Sequence, residues 1–209
     1  MRRTLAGWFA ALALVALAAG VPVAPGDEAG RPVFRNFRPT EYRGHPQVYG
    51  LALLPDGRVY LSSEQGIIEY DGIRWRHLPA PTSQVFAMQT GPDGRIWIGG
   101  MDEMGYFSSD APEAGLVYHS ITASLPAPLR SFGRVRAIAV RSEGVYFSVI
   151  GHVVRWHQGA VREWPLGTRA AQLHAIGSDL YVQVAGTGLL RLSGDEFKPV
   201  CADSVFAAS

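Results

Sequence analysis

Residues 48–78 read VYGLALLPDGRVYLSSEQGIIEYDGIRWRHL, and this stretch decides the fold. Its apolar strands are separated by a Pro-Asp-Gly-Arg turn at residues 55–58, a glycine at Gly66 and an Asp-Gly pair at residues 71–72. Asp-Gly is favoured in tight hairpins because both residues tolerate positive φ, and branched or aromatic residues fit a pleated, half-buried surface. The stretch therefore predicts four short antiparallel strands in a row.

The same order of strands and turns recurs along the chain. Four units span residues 48–78, 85–121, 135–166 and 173–201, with an extra loop at residues 123–134. Repeats of about 40 residues with four strands each are typical of β-propeller blades. We therefore predict an all-β fold, an incomplete β-propeller of about four four-stranded antiparallel blades.

A β-sandwich is the main alternative, because it also strings short strands between turns. It gives no reason for turn, aromatic residue and glycine to repeat in one order. Helical solenoids have similar periods but need apolar residues every three to four positions, whereas alternation dominates in this chain. Tyr60, Trp97, Tyr146 and Tyr181 occupy one equivalent position in the four units, so we expect them to pack between neighbouring blades.

The N-terminus has the three parts of a secretory signal. Arg2 and Arg3 precede an apolar run at residues 5–19, which ends in small residues that suit signal peptidase. The run is shorter than the roughly 20 residues that span a bilayer, which favours cleavage, although an uncleaved anchor remains an alternative. We predict a signal-peptide helix at residues 1–20, a flexible lead-in at residues 21–32, and export in either case.

The other end of the chain begins a further repeat. The tripeptide Val-Phe-Ala opens the second unit at residues 85–87 and occurs again at residues 205–207. Propellers usually close into rings of about four to eight blades. We therefore expect residues 202–209 to start a truncated fifth repeat, and the chain to be a fragment of a longer protein.

Charge and cysteine content narrow the functional classes. The chain has 19 basic and 18 acidic side chains, and Arg2 and Arg3 belong to the signal, so nothing in its charge favours nucleic acid as a partner. A single cysteine excludes a disulfide within the chain, which suits a bacterial periplasm better than a small secreted eukaryotic domain.

No catalytic constellation is present in the sequence. The six histidines are scattered, and no Gly-x-Ser-x-Gly nucleophile motif or Gly-rich phosphate loop occurs. The Asp-Gly pairs indicate turns, because no further carboxylates follow at calcium-ligand spacing. We therefore name no catalytic residue, no metal ligand and no cofactor, while an enzyme stays an open alternative because propeller active sites are built from several blades.

The geometry of a propeller indicates where a ligand would bind. The loop before each innermost strand and the loop between its second and third strands lie on one rim of the central channel, where convergent polar groups suit a small molecule. The polar residues of those loops are our candidate ligand contacts: Glu64, Gln65, Gln84, Asp102, Glu103, Arg130, Arg134, Arg169 and Gln172.

Residues 33–37 read VFRNF, residues 66–72 read GIIEYDG and residues 93–100 read DGRIWIGG. The first two stretches resemble the start, and the third resembles the repeat, of the periplasmic sensor region of two-component regulator propeller proteins. The resemblance implies a propeller outside the inner membrane, often two in tandem. A further β-domain and a transmembrane helix would then lead to a cytoplasmic histidine kinase, diguanylate cyclase or similar output domain. It also implies a sensor, often of carbohydrate-type ligands.

We therefore expect the periplasmic ligand-sensing segment of a signal-transduction receptor of the two-component type, tethered to the inner membrane in the full-length protein. Its partners would be a small-molecule or glycan ligand, together with the missing blades and signalling domains of the parent protein. The alternative is a stand-alone secreted propeller that acts as a carbohydrate-binding module or as a lyase or hydrolase.

Overall fold

The computed structural model describes residues 34–109, 115–167 and 171–201. Within these ranges, sixteen strands form four separate four-stranded sheets. The strands of each sheet follow chain order, and each strand pairs antiparallel with the next. The prediction of an all-β fold with four antiparallel strands per blade is confirmed.

Each sheet is one blade of the fold. Blade 1 contains β1 (Val48–Leu53), β2 (Val59–Ser63), β3 (Gly66–Tyr70) and β4 (Trp75–Leu78). Blade 2 contains β5 (Val85–Thr90), β6 (Ile96–Gly100), β7 (Met104–Ser108) and β8 (Val117–Ser120). Blade 3 contains β9 (Ala137–Arg141), β10 (Gly144–Val149), β11 (His152–His157) and β12 (Ala160–Pro165). Blade 4 contains β13 (Ala171–Ile176), β14 (Asp179–Val184), β15 (Gly188–Ser193) and β16 (Glu196–Cys201).

The Pro-Asp-Gly-Arg turns close the first hairpins of blades 1 and 2. The Asp56 Oδ1 atom accepts the backbone N–H of Arg58 at 3.1 Å, and the Asp93 Oδ1 atom accepts that of Arg95 at 3.2 Å. Gly57 has a φ of 84°, a left-handed conformation that glycine adopts without strain. The turn chemistry visible in the sequence thus fixes the pairing of β1 with β2 and of β5 with β6.

The blades pack face to face in chain order, with their innermost strands β1, β5, β9 and β13 side by side. Three buried clusters join successive blades through the pairs Tyr60 with Phe107, Trp97 with Phe147, and Tyr146 with Val182. Tyr60, Trp97 and Tyr146 therefore pack between blades, as the sequence predicts. Tyr181 lies on the face of blade 4 that turns away from blade 3, and it is only half-buried. Separate sheets stacked in this way make the fold a β-propeller.

The extra loop before blade 3 is part of the core. It contains two turns of 3-10 helix at Thr122–Ser124 and Ala127–Leu129. Leu125, Leu129 and Phe132 are buried in the cluster between blades 2 and 3. The loop therefore covers that interface and carries its next residues onto the rim.

A short segment before the first blade covers its outer strand. Helix α1 (Pro39–Tyr42) follows Phe37, whose ring lies 5.2 Å from that of Trp75 in β4. The Tyr42 ring lies 5.6 Å from the Trp75 ring, and Tyr70 stacks on Trp75 at 4.4 Å. These aromatic contacts half-bury Trp75, whereas Arg76 and His77 of the same strand remain exposed.

Several expectations fall on other parts of the chain. The signal-peptide helix at residues 1–20, the lead-in at residues 21–32 and the start of a fifth repeat at residues 202–209 lie outside the described residues. Among the described residues, no helix combines the length and apolar character needed to cross a bilayer.

Candidate ligand-binding site

The innermost strands of blades 1 and 2 have an irregularity at the same place. Their pairing register shifts around Tyr49 in β1 and around Phe86 in β5, so each of these two residues bulges out of its ladder. A bulge redirects a side chain and is frequent next to functional sites. The rings of Tyr49 and Phe86 meet edge to face, with their centres 5.1 Å apart, at the start of the two strands.

Arg134 joins these two rings to form what we call the rim cluster, which consists of Tyr49, Phe86 and Arg134. The guanidinium carbon of Arg134 lies 4.1 Å from the centre of the Phe86 ring and 5.1 Å from the centre of the Tyr49 ring. Both distances are within the range of cation–π contacts. A positive charge is thereby held against two aromatic rings from two blades.

The backbone of blade 2 holds Arg134 in position. Arg134 forms an isolated β-bridge with Met101, and the N–H of Val135 donates to the carbonyl of Gly100 at 3.0 Å. Gly99 permits this close approach, because a Cβ atom at Gly99 would lie only 2.5 Å from the Cβ atom of Val135. The Gly-Gly pair at the end of β6 therefore sets where the arginine can lie.

The groups around the rim cluster leave the arginine without an acidic partner. The Tyr49 hydroxyl donates to Oε1 of Glu64 at 2.7 Å, and Oε2 of Glu64 lies 3.8 Å from Nε2 of His45. The hydrogen bond to Glu64 raises the pKa of Tyr49, so the phenol stays protonated. The Nε atom of Arg134 is buried without a hydrogen-bond partner, and Arg134 takes part in no ion pair among the described residues.

Four of the predicted contact residues lie at or beside the rim cluster. Arg134 belongs to it, and Glu64 binds the Tyr49 hydroxyl. Asp102 accepts the N–H of Gly133, the residue before Arg134, at 2.6 Å, and its own N–H donates to the Gly133 carbonyl at 2.9 Å. Gln84 is half-buried two residues before the bulge of β5.

Two other predicted residues bind the protein itself. Arg130 donates from Nε to the carbonyl of Leu125 and from Nη2 to that of Ala123, both at 2.9 Å, which folds the extra loop. Glu103 accepts the hydroxyl of Tyr118 at 2.8 Å. Burial and the nearby Glu103 carboxylate raise the pKa of Tyr118, so the Tyr118 hydroxyl stays protonated and remains the donor of this hydrogen bond. Both side chains therefore form hydrogen bonds within the protein.

The remaining predicted residues are exposed or outside the described ranges. The side chain of Gln65 is exposed, and so is that of Gln172 in β13. Arg169 lies outside the described residues. Within the described ranges, no group of three or more His, Cys, Asp or Glu side chains is arranged to hold a metal ion.

Sequence reasoning did not select Tyr49, Phe86 or His45. In a regular alternating strand, Tyr49 and Phe86 would be ordinary positions of β1 and β5. The alternating pattern does not indicate the two bulges. One signal was available, because each residue is the second one of its unit and is aromatic. An aromatic residue repeated beside a rim loop is a reason to consider ligand contact.

The innermost strands also expose apolar side chains. Leu51 and Leu53 of β1 and Ile176 of β13 are exposed although they belong to innermost strands. A separate cavity of about 410 Å³ is lined by residues of the innermost strands of blades 2, 3 and 4, and it contains no residue of the rim cluster.

Solved structures with a fold similar to that of this chain include β-propellers. The chain superposes with a TM-score of 0.62 and 14% identity on the extracellular domain described as that of a hybrid two-component system, BT4673, from B. thetaiotaomicron. It superposes with a TM-score of 0.54 and 19% identity on an inactive H270A virginiamycin B lyase from Staphylococcus aureus, solved with quinupristin. The WD40 β-propeller domain of Doa1 gives a TM-score of 0.57 at 12% identity. At these identities the likeness concerns the fold alone.

The matches cover most of this chain but only part of the other proteins. The alignment with BT4673 covers 76% of this chain and 22% of that one, and the alignment with the lyase covers 76% and 59%. The alignment with Doa1 covers 74% and 54%. No family profile matches the chain, and no curated protein matches it at a significant level.

Proposed function

We propose that this chain is the ligand-sensing propeller segment of an exported, membrane-tethered receptor of the two-component type. The observation that carries the proposal is the rim cluster, an arginine held between two aromatic rings with no acidic partner among the described residues. The guanidinium contacts these two rings but forms no ion pair among the described residues, so its charge can pair with an anionic group of a ligand.

The chemistry of the rim cluster selects a class of ligand. Arginine pairs with carboxylates and phosphates through two parallel hydrogen bonds, and these bonds are stronger than those between neutral groups. The aromatic rings of Tyr49 and Phe86 suit a flat or apolar face next to that anionic group. We therefore propose a small ligand that carries a carboxylate or another oxyanion beside a ring.

The receptor assignment rests on likeness and on the sequence of the chain. The extracellular domain of BT4673 has a similar fold and belongs to a protein described as a hybrid two-component system. The apolar segment at residues 5–19 supports export. A gene whose reading frame continues beyond Ser209 into further blades, a membrane helix and a kinase or cyclase domain would support the receptor, and a secreted propeller without them would contradict it.

A second candidate is a secreted propeller lyase, which is favoured by the similar fold of the virginiamycin B lyase. It predicts turnover of a substrate by this chain without any output domain. Incubation of the protein with quinupristin, the compound present in that lyase structure, followed by liquid chromatography with mass spectrometric detection distinguishes the two candidates. Conversion of quinupristin to a new compound would favour the lyase, and recovery of the intact compound would count against it.

The binding proposal is tested with matched ligands and matched variants. Isothermal titration calorimetry would compare glucuronate with glucose and galacturonate with galactose, so that each pair differs in one carboxylate. We expect an acidic sugar to bind more tightly than its neutral counterpart, and Arg134→Gln to remove that preference. Arg74→Gln is the control, because it removes the same charge from an exposed turn at the opposite end of blade 1. Equal affinities within each pair, or equal effects of the two variants, would refute the proposal.

A further inference from the structure

The interface between blades 1 and 2 differs from the next one at an equivalent position. The cross-strand neighbour of Trp97 in blade 2 is Tyr106, and the two rings lie 4.7 Å apart. In blade 1 the corresponding neighbour of Tyr60 is Glu69, whose side chain is only 2% exposed. The equivalent neighbours in blades 3 and 4 are Arg155, which is half-buried, and Arg191, which is exposed, so Glu69 differs from its equivalents because its charged side chain is buried.

The buried carboxylate is held by arginines. Oε1 of Glu69 lies 2.8 Å from Nη2 of Arg76 and 4.0 Å from Nη1 of Arg58. A carboxylate withdrawn from water needs such partners, because an unpaired buried charge is strongly destabilising.

Tyr60 adds a buried hydroxyl to the same place. Its side chain is completely buried, and its hydroxyl has no hydrogen-bond partner among the described residues, although Glu69 and Arg58 are close. Burial, followed by the Glu69 charge, raises the pKa of Tyr60 to about 12, so the hydroxyl keeps its proton. Buried polar groups in proteins are nearly always paired, so this hydroxyl still has the capacity to form a hydrogen bond with a ligand.

Arg58 and Tyr60, two neighbours of the Glu69 carboxylate, line a cleft of about 550 Å³ on the rim opposite to the rim cluster. The first hairpins of blades 1 and 2 form its walls with Asp56, Arg58, Asp93 and Arg95, and Tyr60 lies at its inner side. Nε of Arg58 is 3.3 Å from Oδ2 of Asp56, and Nε of Arg95 is 3.4 Å from Oδ2 of Asp93. The Pro-Asp-Gly-Arg turns that close the two hairpins therefore also supply paired charges to the cleft.

We propose that this cleft is a second binding site, which takes a neutral, polyhydroxylated small molecule such as a sugar. The charges of the cleft are paired within each hairpin, so they offer hydrogen-bond donors and acceptors without a net charge that would attract an ion. Hydroxyl groups both donate and accept, and they match such a set. The volume falls within the range of small-molecule sites and has room for one or two sugar rings.

The test uses the full chain and a defined panel of neutral compounds. Saturation-transfer NMR would survey glucose, galactose, mannose, N-acetylglucosamine, maltose and cellobiose, and calorimetry would measure the affinity of each binder. Tyr60→Phe removes the hydroxyl without removing a hydrogen bond of the protein. Asp93→Asn keeps the turn acceptor but alters the paired charges. We expect each variant to weaken binding about three- to ten-fold, the effect of one hydrogen bond.

Two controls keep the result specific. Tyr146→Phe makes the same change at the equivalent position between blades 3 and 4, and Asp71→Asn makes the same change in a turn outside the cleft. Both should bind like the parent chain. The proposal is overturned if no compound of the panel binds, or if Tyr60→Phe and Asp93→Asn leave binding unchanged. It is also overturned if Arg134→Gln abolishes binding, because the sugar would then occupy the rim cluster.

Discussion

Replacement of Gly99 by alanine tests how the rim of this propeller is built. A Cβ atom at position 99 would lie 2.5 Å from the Cβ atom of Val135, whereas ordinary van der Waals contact is 3.4–4 Å. Val135 is completely buried in the core between blades 2 and 3. The end of β6 and the segment before β9 must therefore separate by about 1 Å in a region packed as densely as a crystal.

The size of the destabilisation depends on which atom the new methyl group contacts. Inserting a methyl group into a packed core costs typically about 1–3 kcal/mol. The Cβ atom of Val135 is bonded to the backbone and cannot rotate away, so we expect the upper end, about 3 kcal/mol. For a chain of this size that corresponds to a fall in Tm of about 6–12 °C.

Urea denaturation followed by tryptophan fluorescence measures the change in the free energy of unfolding. The slope m should stay constant, which shows that the same surface unfolds. Ser62→Ala is the matched control, because Ser62 is the equivalent residue of β2, is completely buried and has no partner for its hydroxyl among the described residues. It should change stability by less than about 0.5 kcal/mol. A Gly99→Ala protein as stable as the parent chain would refute the reasoning about the rim.

Three further changes test other parts of the structure. Trp97→Ala removes a side chain that is 2% exposed between blades 2 and 3, and it should cost about 3–5 kcal/mol in urea denaturation. The backbone N–H groups of Arg74 and Ile73 donate to Asp71 and hold the pKa of its carboxyl below 3.8. Asp71→Asn should therefore lower the free energy of unfolding above pH 3.8. The difference in stability between the two proteins should vanish as the pH falls through the lowered pKa. Burial and Glu103 raise the pKa of Tyr118 above 10.0, so Tyr118→Phe should leave the tyrosine ionisation seen near pH 10 by absorbance unchanged.

The fold was predictable because its signals are local. Asp-Gly turns, alternating apolar residues and a repeated aromatic position each depend on a few neighbouring residues, and each points to the same four-stranded unit. The strand boundaries are less local. β9 begins at Ala137, because the backbone of Val135 pairs with Gly100 of blade 2, a contact that exists only in the folded chain.

The candidate sites were predictable only in part, because they depend on where side chains turn after folding. Arg130 and Arg134 belong to one loop and look alike in sequence. In the structure Arg130 binds carbonyl groups of its own loop, whereas Arg134 lies against two rings of other blades. The two turns of 3-10 helix determine which of the two arginines forms hydrogen bonds within the loop. The sequence contains no strong signal for these turns.

Both proposed sites lie next to a charged side chain that has buried atoms. A position between blades must be filled by a side chain of fitting volume, so packing restricts it to a few residue types, and the aromatic series Tyr60, Trp97 and Tyr146 shows that restriction. Glu69 is the buried member of a set of equivalent positions, of which Tyr106 and Arg155 are half-buried and Arg191 is exposed, and two arginines stabilise its charge. Arg134 lies at the end of a loop, where two aromatic rings contact its guanidinium and its buried Nε atom has no hydrogen-bond partner among the described residues. A residue that packing does not require, and that the protein must support with special partners, is the place where selection for a ligand is most directly visible in a repeat protein.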